Sequence, residues 1–322
     1  MQVNSGTNDA ANRYKNAIEQ LSTERPGTET NPRILLAVSG GPDSLALLLL
    51  AHAVMPDRIA AATIDHGLRL ESKDEAAFVA GLCADRGIAH HILTPDQPIT
   101  GNIQSAARAA RYALLECAAD ELHCTLIATA HHSDDQLETL LMRLARGSGV
   151  AGLAGVRAHY GRIIRPLLGF TKAELVQICA DHGIEPVRDS SNEDDDFDRV
   201  AMRQFLRRNP HPFDAFRAAR TASAVADAVE ALDWMVAQLA TQRVISEDSQ
   251  IRTDAADLPR ELQRRLLIAS LQRLAPEMTP RGEAVERLLD DLGAGKIVTI
   301  GDILCKGGDV WYFLAAPPRR TV

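Results

Sequence analysis

The strongest structural signal in the chain is an apolar run that ends in a glycine-rich turn. Ile34–Val38 is continuously apolar and is followed by the polar turn Ser39–Ser44. Such a run bounded by glycines predicts a fully buried strand. Gly40 and Gly41 permit a tight turn with close backbone approach to a ligand, and Asp43 stands where short polar residues cap a helix. Because free amides at a helix N-terminus bind phosphate, the stretch predicts a phosphate site.

Two better-known phosphate loops are excluded by spacing. The stretch lacks the lysine and the spacing of G-x-x-x-x-G-K-[ST], and it does not contain G-x-G-x-x-G. An ordinary strand–turn–helix corner that uses glycine only for geometry is the alternative interpretation.

Strands and helices alternate over the first half of the chain, which predicts an α/β fold with a doubly wound, mostly parallel, Rossmann-like sheet. Polar clusters follow three of the predicted strands. Because such sheets bind ligands beyond the carboxyl ends of their strands, these clusters predict one common site. The predicted strands are Ile34–Val38, Ile59–Ile64, Ile88–Leu93 and Leu126–Ala130, and the clusters are Ser39–Ser44, Asp65-His66 and His131–Asp135.

The pattern changes near Pro210–Pro212, and we place a domain boundary there. Residues 1–30 form a polar lead-in with one helix around Asp9–Leu21, and residues 31–210 form the α/β domain. Residues 211–322 form a smaller, mainly helical domain that ends in two or three short strands. No stretch approaches the roughly 18 apolar residues of a membrane span.

Composition indicates a reducing compartment. The five cysteines are odd in number and form no C-x-x-C pair, which argues against a disulfide framework or a zinc site. The N-terminus lacks the layout of a signal peptide, so a cytoplasmic location is expected. The oligomeric state stays open, with a homodimer as one alternative.

Further motifs resemble a known family. The S-G-G-x-D-S turn resembles the PP-loop of the ATP pyrophosphatases, and the motifs that follow it are similar in type and order to those of the tRNA(Ile)-lysidine synthetases. The matching stretches are Asp65–Arg69, Ala107–Tyr112, Ala128–Thr139, Arg143–Gly149, Arg165–Leu168 and Asp189–Asn192. The resemblance covers roughly residues 34–208. Gln104 replaces a usual glutamate, and Val200 lies where the family has asparagine in R-N-R-I-R.

The resemblance implies an ATP-dependent C–N bond-forming ligase that acts on an isoleucine tRNA with a CAU anticodon. Its wobble cytidine would attack ATP, release pyrophosphate and become adenylated, and the ε-amine of L-lysine would then displace AMP to give lysidine. A PP-loop tRNA thiolase and a non-catalytic ATP-binding module are the alternatives. A thiolase usually carries C-x-x-C pairs or a catalytic cysteine near the loop, and this chain has neither there.

Roles for individual residues follow from the resemblance. Asp43 would also bind Mg²⁺, which favours carboxylate together with phosphate oxygens. Asp134 and Asp135 would attract the substrate lysine, or one of them a second Mg²⁺, while His131 or His132 would accept its proton. The predicted catalytic residues are Asp43, Arg108, Asp134, Asp135, His131 and His132, and the predicted ATP-binding residues are Ser39, Gly40, Gly41, Pro42, Asp43, Ser44, Asp65 and Arg111.

A tRNA substrate requires positive surface, because phosphate contacts supply most nucleic-acid affinity. Although the net charge is −8, two groups of arginines would provide this positive surface. A solvated helix face is the alternative interpretation of these arginines. The groups are Arg143, Arg146, Arg157, Arg162 and Arg165, and Arg199, Arg203, Arg207, Arg208, Arg217 and Arg220. The low aromatic content did not allow a base-stacking residue to be named.

Overall fold

The computed structural model describes residues 5–23, 31–65, 71–95, 103–187, 197–209, 211–247, 249–280 and 282–316. The side chains of residues 5–7, 71, 103–108 and 197 lie outside this description. The chain divides into two compact units, Met1–Ala226 and Asp227–Val322. The division falls within a helix, later in the chain than the predicted boundary near Pro210–Pro212.

A six-stranded sheet organises the first unit, in the order β3-β2-β1-β4-β6-β5. All neighbours are parallel except β5, which is antiparallel to β6. This confirms the predicted α/β class and the mostly parallel sheet. The strands are β1 Ile34–Ala37, β2 Ile59–Ile64, β3 Ala89–Leu93, β4 Leu126–Ala128, β5 His159–Tyr160 and β6 Ile163–Ile164.

Helices cover both faces of this sheet. Ile34 and Leu36 point into one apolar core, and Leu35 points into a second core on the opposite face. This alternation is the period of two that an extended strand imposes. The helices are α1 Ser5–Thr23, α2 Pro42–Val54, α3 Glu71–Ala84, α4 Ile103–Glu121, α5 Ser133–Ala145, α6 Val150–Leu153, α7 Lys172–Asp181 and α8 Phe197–Arg208. A short 3₁₀ helix, Pro56–Arg58, follows α2.

The polar N-terminal segment contributes to the core of the first unit. One face of α1 is buried, with Tyr14 fully inaccessible and Ile18 5% exposed in the same cluster as β1 and α2. Arg13 bonds Glu174 of α7 at 2.6 Å and stacks over the Phe170 ring at 4.3 Å. The predicted lead-in is therefore a packed helix of this unit over residues 5–23.

The second unit packs helices on an antiparallel sheet of order β7-β8-β11-β10-β9. Its core includes Leu266, Leu289, Trp311 and Phe313. The three predicted tail strands are present, whereas β7 and β8 were not indicated by the sequence. The elements are α9 Ala215–Arg243, which spans both units, β7 Val244–Glu247, β8 Gln250–Thr253, α10 Arg260–Leu274, α11 Gly282–Gly293, β9 Ile297–Ile300, β10 Ile303–Lys306 and β11 Trp311–Ala315.

Among the helices that the structure describes, none combines the length and the apolar character needed to cross a membrane.

Candidate active site

The turn after β1 has the geometry that its glycines predicted. Gly40 adopts φ +87°, which disfavours residues with a Cβ. Its carbonyl accepts a 3.1 Å bond from the N–H of Val187. Gly41 caps α2, and Pro42 is the first residue of that helix. The loop thus leads directly into a helix N-terminus at the carboxyl edge of the sheet.

The loop contains two serines, of which one is buried and one is exposed. Ser44 is buried, and its hydroxyl accepts from the N–H of Ser39 at 3.0 Å and donates to the carbonyl of Gly41 at 3.0 Å. The two hydroxyl oxygens lie 3.2 Å apart. Ser39 itself is exposed. Ser44 therefore holds the shape of the loop, while Ser39 lies at its exposed surface.

Lys172, which lies 129 positions after Asp43 in the sequence, forms an ion pair with it. The Nζ of Lys172 lies 2.7 Å from Oδ1 and 2.6 Å from Oδ2 of Asp43. Lys172 is the first residue of α7, which begins with a capping box between Thr171 and Glu174. A cation is unfavourable at a helix N-terminus unless an anion compensates it. That misplacement was the only sequence signal for Lys172, which the motifs did not single out.

His132 lies at the centre of three carboxylates. Its Nε2 is 3.6 Å from Asp43 and 3.6 Å from Asp135, and its Nδ1 is 3.5 Å from Asp134. The same aspartates fix the backbone. Asp135 accepts from the His132 N–H at 3.1 Å, and Asp134 accepts from the Lys172 N–H at 2.8 Å. The clusters after β1 and β4 therefore meet in one site.

The charges of this cluster stabilise one another. Burial alone would lower the pKa of His132, but Asp134, Asp43 and Asp135 outweigh it and raise that pKa to about 10. Burial alone would raise the pKa values of Asp43 and Asp134, but His132, joined by Lys172, lowers both. His132 is accordingly an imidazolium at neutral pH. An imidazolium has no lone pair to accept a proton, so the predicted base role of His132 does not fit this state.

The raised pKa of His132 predicts a pH-dependent stability. Its stabilising contribution is complete below its ordinary pKa of 6.5 and is lost as the pH rises through about 10. The free energy of unfolding of the wild type should therefore fall relative to that of His132→Gln across this window, by at most about 1.4 kcal/mol per pH unit. Urea unfolding of both proteins at several pH values measures this slope, and equal slopes would contradict the assignment.

The remaining predicted residues lie just after β2, after β4 and on α4. Asp65 follows β2 and is 8% exposed, and Nδ1 of His131 lies 3.0 Å from the hydroxyl oxygen of Thr129. Arg111 is exposed on α4 without a hydrogen bond or ion pair to another described residue. Arg108 belongs to α4, but its side chain lies outside the described residues, as do His66–Arg69 and Asp189–Asn192.

Several of the arginines assigned to an RNA surface have partners within the first unit: Arg165 is 7% exposed and donates to the Arg157 carbonyl, and two others bind Glu138. Arg203 donates from Nε to Glu138 at 2.8 Å and lies 3.4 Å from Asp135. Nε of Arg199 lies 3.7 Å from Glu138, which is 7% exposed. Arg203 and Arg199 thus join α8 to α5 beneath the acidic cluster. This corrects the expectation that they face RNA, because their partners lie 65 and 61 positions earlier in the sequence.

The glycine-rich loop after α5 is clamped by the side chain of Gln136. Its amide donates to the Val156 carbonyl at 2.8 Å and accepts from the Val156 N–H at 2.7 Å. Gly155 has φ +62°, and a Cβ there would lie 2.3 Å from the Gln136 oxygen. The loop is therefore held against the helix that carries Asp134 and Asp135.

Within the part of the chain that the structure describes, no group of three or more His, Cys, Asp or Glu side chains is arranged to hold a metal ion. Mg²⁺ commonly takes only one or two carboxylates together with phosphate oxygens. Asp43 offers one such carboxylate beside a phosphate-type loop, and the ammonium group of Lys172 engages both of its oxygens in this structure.

Comparisons with known proteins agree with this architecture. The PP-loop domain family model matches residues 7–209. A tRNA(Ile)-lysidine synthase of Novosphingobium aromaticivorans is 44% identical over 315 residues, covering 95% of each chain. The one from Zymomonas mobilis is 40% identical and covers 88% of this chain and 89% of its own. The one from Rhodopseudomonas palustris is 39% identical and covers 90% and 92%. With a phosphate-type loop meeting an acidic cluster at the sheet edge and this similarity along nearly its whole length, the chain belongs to the tRNA(Ile)-lysidine synthase family of PP-loop proteins.

Proposed function

We propose that this protein uses ATP and L-lysine to convert the wobble cytidine of a CAU-anticodon isoleucine tRNA to lysidine. The observation that carries the proposal is the convergence of Asp43, Lys172 and His132 with Asp134 and Asp135 at the carboxyl edge of the sheet. The site offers cationic and amide groups for phosphates next to carboxylates for an amine. Those are the two chemistries that the reaction needs.

In the first step, the cytosine O2 attacks the α-phosphorus of ATP and pyrophosphate leaves. The loop amides and the Ser39 hydroxyl bind the departing phosphates, which is preorganised stabilisation of developing charge. Lys172 supplies an ammonium at the same place. Mg²⁺ held by Asp43 would neutralise phosphate charge when bound.

In the second step, the lysine ε-amine attacks C2 of the adenylated cytidine and AMP leaves. Asp134 and Asp135 attract the incoming ammonium. His132 keeps both carboxylates in place, since it contacts each of them and remains charged. His131 is then the imidazole left to accept the proton that the attacking amine loses.

The thiolase alternative is disfavoured by the thiol nearest the loop. Cys179 lies 3.3 Å from the Pro42 carbonyl and is fully buried. Burial, with a smaller contribution from Asp43, raises its pKa to about 11. A thiol in that state forms little thiolate at neutral pH, so it is a poor nucleophile.

Incubation with radiolabelled lysine, ATP and purified tRNA tests the proposal. We expect label in RNA, together with AMP and pyrophosphate, only when ATP and a CAU-anticodon isoleucine tRNA are both present. The matched control is the same tRNA with its wobble cytidine replaced by uridine. No label with the correct tRNA, or label that does not require ATP, would refute the proposal, and sulfur transfer would indicate the thiolase.

A further inference from the structure

Three exposed phenylalanines lie close together in sequence at the junction of α8 and α9. Phe205, Phe213 and Phe216 are 51%, 45% and 50% exposed. The chain has only seven phenylalanines, and 4% of its residues are aromatic. Burying a side chain of this size contributes about 1.5–3 kcal/mol. Three exposed rings within twelve positions therefore indicate a surface that another molecule covers.

Each of these rings has an arginine one helical turn further along the chain. The pairs are Phe205 with Arg208, Phe213 with Arg217, and Phe216 with Arg220. Residues three or four apart on a helix share one face, which applies to Phe205 with Arg208 on α8 and to Phe216 with Arg220 on α9, whereas Phe213 precedes α9. The pattern therefore places aromatic faces and positive charge side by side along α8 and α9.

The arginines of this segment are available, unlike those that precede it. Arg207, Arg208, Arg217 and Arg220 are exposed, and none has a carboxylate partner among the described residues. Residues 205–220 hold four arginines and one aspartate, Asp214, for a net charge of +3 in a chain of net charge −8. That aspartate is occupied as a helix cap, accepting from the Arg217 N–H at 2.8 Å.

The aromatic rings and arginines of this segment indicate which kind of partner it binds. Phe213 already stacks on the ring of His211, with centroids 5.7 Å apart and an interplanar angle of 25°. Unpaired bases stack on aromatic side chains and on guanidinium planes, while arginines bind the phosphates between them. The net charge of +3 in this segment favours a partner that carries phosphates.

We infer that residues 205–209 and 211–220 form a stacking platform for single-stranded RNA, and that its occupant is the anticodon loop of the tRNA. The inference rests on the proposed function for the identity of the RNA. The arginines assigned to contact RNA are then the exposed ones that follow Arg199 and Arg203, because Arg199 and Arg203 are bound to Glu138.

Binding of a fluorescent anticodon stem-loop of the isoleucine tRNA to the full-length protein tests the inference. A Phe205→Leu/Phe213→Leu/Phe216→Leu variant keeps apolar bulk and loses the rings. We expect its affinity to fall at least about tenfold, because stacking contributes about 1–3 kcal/mol per base. The dependence of affinity on salt concentration should stay unchanged, since no phosphate contact is lost.

Replacing Arg207, Arg208, Arg217 and Arg220 with glutamine should, in contrast, change the dependence of affinity on salt concentration. The slope of log affinity against log salt should become shallower by about 0.7 for each lost phosphate contact. Tyr160→Leu and Lys15→Gln are the matched controls, because both residues are exposed in the first unit outside this segment. Both should bind the stem-loop like the wild type, and ATP binding by every variant shows that the fold is intact.

Wild-type affinity of the phenylalanine variant would overturn the inference. A sedimentation coefficient of the phenylalanine variant that differs from that of the wild type in the absence of RNA would also overturn it, since the phenylalanines would then join copies of this chain. If the affinities of the variants for the stem-loop change as expected but the wild type transfers no lysine to the tRNA, the proposed function is refuted and the stacking platform is supported.

Discussion

Replacing Asp43 with asparagine should reduce ATP-dependent lysine transfer at least about 10²–10³-fold, the scale of losing one preorganised electrostatic group at a reacting centre. Among the described residues, Asp43 is the only carboxylate that contacts both the ammonium group of Lys172 and the ring of His132. Its loss removes the proposed Mg²⁺ ligand and leaves two cations facing the loop. The variant keeps the size and most of the hydrogen-bonding capacity of the side chain.

Two measurements make this prediction specific. ATP binding should depend on Mg²⁺ in the wild type and lose that dependence in Asp43→Asn. Asp57→Asn, an exposed position in the first unit, is the matched control and should transfer lysine normally. An Asp43→Asn protein that still transfers lysine at the wild-type rate would remove Asp43 from the proposed mechanism.

Replacing Arg203 with methionine should lower the free energy of unfolding by about 1–3 kcal/mol, the cost of leaving a buried polar group without its hydrogen-bond partner. The buried carboxylate of Glu138 would then keep only the more distant Arg199, whose Nε is 3.7 Å away. The side chain of Glu138 is 9% exposed and that of Arg203 is 22% exposed, so water replaces little of the lost interaction. Urea unfolding followed by circular dichroism gives the difference.

Arg207→Met is the matched control on the same helix, because Arg207 is exposed and unpaired among the described residues. Its effect should stay within about 0.5 kcal/mol, as for most surface substitutions. The double variant Glu138→Gln/Arg203→Met should recover part of the lost stability, since the buried carboxylate is then removed as well. Equal losses at positions 203 and 207 would show that the ion pair to Glu138 is not what stabilises the fold.

Local patterns predicted the α/β fold because each pattern is complete within a few residues. The buried run Ile34–Val38, the turn at Gly40 and the capping box at Thr171 all depend on near neighbours. The second unit was predicted less fully. β7 and β8 are only four residues each. β7 exposes three of its four residues, and β8, although its burial alternates, contains a single apolar residue, Ile251, so neither gives a strong signal in the sequence.

The position of the site also followed from the sequence, whereas its charge pairing did not. Asp43 and His132 were identified because they follow strands whose ends meet at one edge of a parallel sheet. Lys172 and Glu138 were missed, since Lys172 approaches Asp43 across 129 positions and Glu138 meets Arg203 across 65. No short motif contains both members of either pair.

The sequence by itself determined the sheet, the loop and the edge at which they form a site, because backbone conformation and apolar periodicity are set locally. Only the tertiary structure decided which arginines are internal and which are exposed, and that His132 is charged. Those properties depend on burial and on the distance between charges, and both arise only when distant segments pack together.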